Sequence, residues 1–510
     1  MKKEEKLLDA IGEIGEEKIE EAHAKRVQAR PRRWIAWAAA ACVCLAVGAA
    51  VLRFALPRAD LPDPAPNGAT VTDPTPTPNP TPDPTPDPTP TPVKTGAVIV
   101  KAAYPTETPY PTTDMSFDDA WQRAYEVWIN AQRERNQLPS DYRDALAAFI
   151  ARSTPAVLAE KTGKNAVYAP LNVYLALAEM AETAGGETRA QALDLLGAED
   201  VGTLRAWANA MWKRNYSDDG ASTCILGSSV WLDEELSYRA ETLRTLAEDY
   251  FASSYAGEMG SDALNDALHE WINEQTGGLL AEQAEGVKMT PESVFELVTT
   301  IYYRAKWLEK FSPENTAPAV FHATDGDATC NFLNEPTADF WVKRGEHFLG
   351  TQKTFEQGGR MVFLLPEEGA APETLLSDPE VMAFLCGEND WDAMTWCYGK
   401  LSLPKFDVVS DLELTAALTA LGVTDAFESG KADFSPLLEN AEGVALSGVQ
   451  HAARVTVDEE GVTATAFTAM GYGAGGPEEQ MDFILDRPFV FAIVGEDGLP
   501  LFLGVVNDPT

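Results

Sequence analysis

The sequence predicts an α+β fold for residues 114–510, and three observations carry that reading. In 172–184, Val173, Ala176, Leu177, Met180 and Ala184 recur at helical spacing and share one face. Further along, LVTTIYY (297–303) and MVFLL (361–365, ended by Pro366) are β-rich and apolar on both sides, the pattern of buried strands. Helices come first and strands later without strict alternation, so the sequence does not read as a repeated βα unit.

Residues 1–33 are a polar tail with helical character, acidic up to Glu21 and then basic at Lys25, Arg26, Arg30, Arg32 and Arg33. The uncharged run WIAWAAAACVCLAVGAAVL (34–52) follows. At ~1.5 Å per residue it reaches about 28 Å, close to the thickness of a bilayer core. Residues 34–54 are therefore expected to be a transmembrane anchor, uncleaved because Arg53 and Pro57 interrupt a small-x-small cleavage site. The basic cluster before the span keeps the N-terminus cytoplasmic and puts the remainder of the chain outside the cell.

Residues 55–113 are expected to be a Pro/Thr-rich linker. TPTPNPTPDPTPDPTPTP (75–92) lacks the backbone donors for helix or sheet and favours extended polyproline II. About 35 such residues at ~3.1 Å each span on the order of 100 Å, a stalk between membrane and domain.

Within the domain, helices are expected around 117–133 and over 141–160, the second kinked at Pro155. Gly185 and Gly186 end the helix at 172–184, and Thr188 with Gln191 form a capping-box pattern for a short third one. Residues 412–421 read as helix. The pair 489–494 and 501–506 reads as a closing antiparallel hairpin around the 495–500 turn.

A net charge of −40 argues against nucleic acid as a partner, since phosphates require a basic face. Cys42 and Cys44 lie in the apolar run. Cys224, Cys330, Cys386 and Cys397 form no CxxC pair and lack His at metal spacing, so buried free thiols are expected and no metal or cofactor site. No GxSxG, HExxH, Walker loop or dinucleotide fingerprint occurs. His269, His322, His347 and His451 are scattered, each read as structural. An enzyme without a linear signature is the alternative from another functional class.

One stretch stands apart: VTVDEEGVTATAFTAMGYGAGGPEEQMDF, 455–483. Val455 and Val457 alternate with polar neighbours as in a strand. A run of small β-compatible residues follows Gly461, and then Gly471, Gly473, Gly475, Gly476 and Pro477 oppose regular structure. Strand-competent sequence leading into an exposed loop reads as a segment made to be inserted.

These segments, in this order, resemble the serpin family across 141–510. NAVYAPLN (165–172) resembles the family's N-x-x-x-S-P-x-S box, and the GGETRAQ run fits the helix after it. WINEQTGGLL (271–280) is similar to I-N-x-x-T-x-G-x-I. LVTTIYYRAKWLEKFSPENTAPAVF (297–321) is similar to the central-strand motif, with Trp307, Phe311, Thr316 and Phe321 at the family's spacing. LSLPKF (401–406), ADFSPL (432–437), EEGVTATA (459–466) and DRPFVF (486–491) complete the series.

The resemblance implies three β-sheets, eight to nine helices and an exposed reactive loop that a target serine protease attacks as substrate. Cleavage would free the loop's N-terminal arm to insert as a central strand, carrying the covalently bound protease with it before the acyl-enzyme hydrolyses. It implies a monomer, with the protease as partner and no cofactor.

The hinge corresponds to Glu459, Glu460, Gly461, Val462, Thr463, Ala464, Thr465 and Ala466. On insertion, Val462, Ala464, Ala466, Thr468 and Met470 would face inward, all small or apolar, while Phe467 would fall where it need not enter the core. Family counting places the reactive bond between Gly475 and Gly476, with Ala474, Tyr472 or Met470 as alternative recognised residues. Small residues there suit an elastase- or subtilisin-like protease, and Tyr472 a chymotrypsin-like one. The absence of Lys and Arg between Gly461 and Phe483 disfavours trypsin-like enzymes. Lys405 and Glu459, near Trp307, match an ion pair at the head of the main sheet. Asn172, Thr299 and His451 match a buried hydrogen-bonded cluster, with Ala169 and Asn172 at the usual serine positions and Thr299 at the usual asparagine position; the three side chains are expected to bond one another. A non-inhibitory serpin serving as a surface binding module is the alternative within the family.

Overall fold

The computed structural model describes residues 97–111, 119–220, 222–291, 293–356, 358–387, 394–462 and 479–510. The expected tail and anchor (1–33 and 34–54) lie outside these residues, and among the described residues no helix is long and apolar enough to cross a membrane.

Ten α-helices are present among the described residues: α1 (Asp119–Asn136), α2 (Arg143–Leu158), α3 (Pro170–Thr183), α4 (Gly186–Leu196), α5 (Val201–Asn215), α6 (Ala240–Asp249), α7 (Asp262–Thr276), α8 (Ala281–Ala284), α9 (Pro379–Cys386) and α10 (Thr415–Ala420). That exceeds the implied eight to nine, because α1 precedes the region of resemblance and α8 is a single turn. The early strands are β1 (Ala97–Val100), β2 (Ala166–Tyr168), β3 (Ser217–Asp218), β4 (Thr223–Asp233), β5 (Ala252–Gly257) and β6 (Phe295–Lys306). Then come β7 (Ala317–Ala323), β8 (Gly326–Arg344), β9 (Phe348–Thr354), β10 (Arg360–Pro366), β11 (Met394–Pro404) and β12 (Phe406–Glu413). The last six are β13 (Gln450–Val457), β14 (Gly461–Val462), β15 (Glu479–Gln480), β16 (Phe483–Ile484), β17 (Phe489–Val494) and β18 (Pro500–Val506).

These strands form two hydrogen-bonded sheets rather than three. The main sheet runs β1-β5-β4-β6-β13-β12. The second runs β15-β11-β8-β9-β10-β17-β18-β2. It is continuous because the 19-residue β8 pairs with β11 over most of its length and with β9 at its end. The expected antiparallel pair β17–β18 forms, with every residue of both strands buried. Residues 412–413 belong to β12, whose inward and outward residues alternate strictly, and helix begins only at Thr415.

Helix α3 departs from its amphipathic reading: every residue from Pro170 to Thr183 is buried. It contacts β6 and β18, so its polar side also lies inside the protein. Buried carboxylates need partners. Glu182 takes an ion pair from Arg205 (2.7 Å) and a hydrogen bond from Tyr250 (2.9 Å), and Glu179 accepts from Ser228 of β4. Thr188 and Gln191 form no capping box. Thr188 Oγ1 accepts from Asp433 N, and Gln191 Oε1 accepts from Thr424 N and Asp425 N, so both tie α4 to distant chain. Helix α2 continues through Pro155, whose missing N–H leaves the Ala151 carbonyl without its helical donor one turn before the end.

The folded sequence also begins earlier than residue 114. β1 extends the main sheet at its edge, antiparallel to β5, and Ala102 N donates to Ser253 Oγ (3.1 Å). Tyr104 then packs on Trp212, Tyr216 and Phe251, with ring centroids 5.1, 5.6 and 6.5 Å away, and its hydroxyl donates to Gln275 (3.1 Å). The segment 97–111 is thus an arm bound to the main sheet, and the linker expected over 55–113 ends before it. Aromatic packing of this kind contributes about 2 kcal/mol over several rings. Tyr104→Ala is expected to lower unfolding free energy by roughly that amount in urea titration with an unchanged m-value; an unmoved midpoint would show that the arm is not anchored there.

Candidate functional site

The strands at the centre of the main sheet define the site. β6 and β13 are parallel neighbours, yet they share only two residue pairs, Gln450–Val298 and His451–Thr299, at one end. On their other edges both are fully engaged, β6 with β4 from Phe295 to Arg304 and β13 with β12 along its whole length. Above Thr299 no described strand bridges them until the far end, where β14 pairs antiparallel with β6: Gly461 opposite Lys306 and Val462 opposite Ala305. Among the described residues, the sheet therefore leaves a strand position open between a closed foot and a strand already started at its head. Gly461 makes that start possible. Its φ is +141°, and a Cβ there would stand 2.6 Å from the Ala305 carbonyl oxygen and 2.7 Å from the Trp307 nitrogen.

A hydrogen-bonded latch fixes the head. Lys405 Nζ meets Glu459 Oε2 at 2.7 Å, and Thr316 Oγ1 donates to Glu459 Oε1 at 2.8 Å. Burial opposes ionisation of Glu459, but the Lys405 and Thr316 hydrogen bonds outweigh it and hold the carboxyl below its ordinary range. Trp307, fully buried and stacked on Phe355, donates its indole N–H to the Asp458 carbonyl (3.0 Å). The backbone amides of Trp307 and Phe311 donate to the Glu460 and Glu459 carbonyls (both 3.2 Å), and Lys310 pairs with Glu460 (2.9 Å). Sequence reasoning found Lys405, Glu459 and Trp307 but not Asp458, whose carboxylate accepts from the Glu460 and Gly461 amides in a local turn. The D-E-E-G string is the signal that could have revealed it.

At the foot, His451 and Thr299 are cross-strand partners, and His451 is 1 % exposed. No hydrogen bond joins Asn172 to either of them among the described residues. The Ala169 amide donates to His451 Nε2 (3.1 Å), so the residue at a usual serine position acts through its backbone. Burial pushes the imidazole down to about 4, leaving it neutral. Thr463, Ala464, Thr465, Ala466, Tyr472, Ala474, Gly475 and Gly476 lie outside the described residues; the chain resumes at Glu479, where β15 joins β11 in parallel. No disulfide joins the four domain cysteines among the described residues; Cys224 and Cys397 are buried, Cys330 and Cys386 partly so.

The family described as serpin (serine protease inhibitor) matches residues 144–509. Serpin-ZXA of Oryza sativa subsp. japonica is 28 % identical over 384 residues, covering 72 % of this chain and 95 % of the rice protein. Among solved structures, the thermophilic serpin tengpin in its native state superposes with a TM-score of 0.65 at 24 % identity, over 81 % of this chain and 100 % of tengpin. Thyroxine-binding globulin complexed with thyroxine gives 0.63 at 19 %, over 73 % and 100 %. At these identities the two structures establish likeness of fold.

Glu459→Lys would set two ammonium groups together where the latch now closes. It is expected to cost about 3 kcal/mol and to free the head of the vacant strand for another molecule's loop. Native electrophoresis after mild heating should show a ladder of oligomers; a variant that stays monomeric with wild-type stability would contradict the assigned role.

Proposed function

The chain belongs to the serpin family, and we propose that it is an inhibitory member, tethered to a cell surface by residues 34–54 in a bacterial-type arrangement and acting outside the cell on serine proteases that prefer small residues. The observation that carries this is the vacant position between β6 and β13 with β14 lodged at its head. Continuing the β14–β6 register would set Ala464, Ala466, Thr468 and Met470 opposite Tyr303, Ile301, Thr299 and Leu297. Ala305, Ile301 and Leu297 face the main hydrophobic core, so the inward set expected from the sequence meets the buried side of β6.

Tyr472 would come opposite Phe295, the first residue of β6, and the Gly475–Gly476 bond would pass beyond the foot. In the proposed trap, the protease serine oxygen adds to the Gly475 carbonyl carbon. The Gly475–Gly476 C–N bond breaks, and the amine leaves with a proton from the protease histidine. The arm ending in the Gly475 ester then zips into the sheet, moving the enzyme on the order of 40 Å at ~3.3 Å per strand residue. Some ten residues gaining hydrogen bonds at ~1 kcal/mol each give a driving force on the order of 10 kcal/mol.

One observation favours the non-inhibitory alternative. Phe467 would come opposite Thr300, on the face covered by α7. A Cβ on Gly227, the cross-strand partner of Thr300, would already stand 2.5 Å from Thr300 Oγ1 and 3.0 Å from Gln275 Cγ of α7. Contrary to the sequence expectation, Phe467 would enter a covered layer, and α7 must yield to admit it.

Incubation with elastase-, subtilisin- and chymotrypsin-like proteases, read on a denaturing gel, decides between the two. The inhibitory reading expects a covalent complex with at least one of them. Ala466→Arg, a charge aimed at Ile301, should still be cleaved but lose at least ~90 % of complex. Cleavage without complex in the wild type would assign a binding module instead.

A further inference from the structure

A cavity of about 250 Å³ opens at the foot of the vacant strand, where β6, α7 and the segment leading into β13 meet. Its apolar wall is Leu268, Met289 and Val298; its polar wall is Ser293, Ser447 and Glu296. Glu296 is the only acid in that lining among the described residues, and Ser293 Oγ donates to its carboxylate (2.9 Å). Burial raises the Glu296 carboxyl to about 7 against the hydrogen bonds from Ser293 and Ser447, so an approaching cation would draw it to the ionised form. Lys288 also lines the cavity but is itself exposed, which places a positive charge toward solvent and the acid in the less accessible part.

We propose that this cavity binds a small amphiphile carrying one ammonium group, with the ammonium on Glu296 and an apolar body of about ten heavy atoms against Leu268, Met289 and Val298. A volume of about 250 Å³ suits a body of that size, and the half-buried Glu296 carboxylate favours a cation over an anion. The cavity adjoins the Gln450–Val298 pair that closes the foot. Resting on the inhibitory reading, the continued register brings Ala469 opposite Val298 and Gly471 opposite Glu296. An occupant therefore stands where the end of the inserting strand must arrive, and it slows insertion enough for the protease to deacylate.

The probe is 2-phenylethylamine, with phenylacetate and 2-phenylethanol as controls, titrated calorimetrically into the full chain and followed by thermal shift. The amine is expected to bind and to raise the midpoint. Glu296→Gln, which keeps shape and hydrogen bonding, should weaken binding at least ~10-fold, as should Ser447→Leu, which fills the cavity. Absence of heat with the amine, equal binding of phenylacetate, or unchanged affinity in both variants overturns the site. Saturating amine should also raise the moles of inhibitor consumed per protease at least ~2-fold; an unchanged ratio overturns the coupling to insertion. If no protease forms a covalent complex, the inhibitory reading and its coupling fall together, whereas the binding titration still decides the site.

Discussion

Everything distinctive about this protein depends on two parallel strands that pair over only two residues at one end. β6 and β13 pair through two residues at the foot, and among the described residues no strand joins them between there and β14. In the proposed trap, such a gap holds the sheet from its lowest free-energy arrangement until its guards release. Here the guard at the head is local and polar: Glu459 between Lys405 and Thr316, Trp307 on the Asp458 carbonyl, and Gly461 fitted against the Ala305 and Trp307 backbone. The guard at the foot is the short Gln450–Val298 ladder beside a cavity.

Burial keeps two ionisable groups close to the main sheet uncharged. Glu179, 1 % exposed beneath β4, is pushed up to about 8, whereas His451 is pushed down to about 4. Both are neutral near pH 7. The two act in opposite directions with pH. The folded chain keeps the Glu179 proton that the unfolded chain loses above 4.5, so that contribution to stability falls as pH rises from 4.5 to 8. The unfolded chain binds a proton at His451 below 6.5 that the folded chain refuses, so that contribution is lost as pH falls from 6.5 toward 4.

Much of this was legible in the sequence because it rests on local pattern. Apolar runs marked β6 and β10, alternation marked β13, and the order of short motifs brought Lys405, Glu459 and Trp307 to one place. What stayed hidden depends on tertiary context. Helix α3 reads as amphipathic because Asn172, Glu179 and Glu182 are polar; only the fold shows that each is buried. Thr188 and Gln191 sit at capping spacing, but distant backbone amides compete for them and win. Residues 97–111 follow a proline-rich segment and look like its continuation, until Tyr104 is found among the rings of Trp212, Tyr216 and Phe251. Alternation along a strand cannot reveal that α7 packs over one face of β6.

The most direct measurement is the thermal denaturation midpoint of the intact chain beside that of the same chain nicked once between residues 471 and 478 by a protease that is not trapped. Filling the open position with about ten residues of strand supplies on the order of 10 kcal/mol, equivalent to a rise on the order of 10 °C for a domain of this size. Nicking should therefore make the protein markedly more heat-stable. A midpoint that stays the same or falls after cleavage would mean that the strand does not insert and that the gap between β6 and β13 is not the protein's working part.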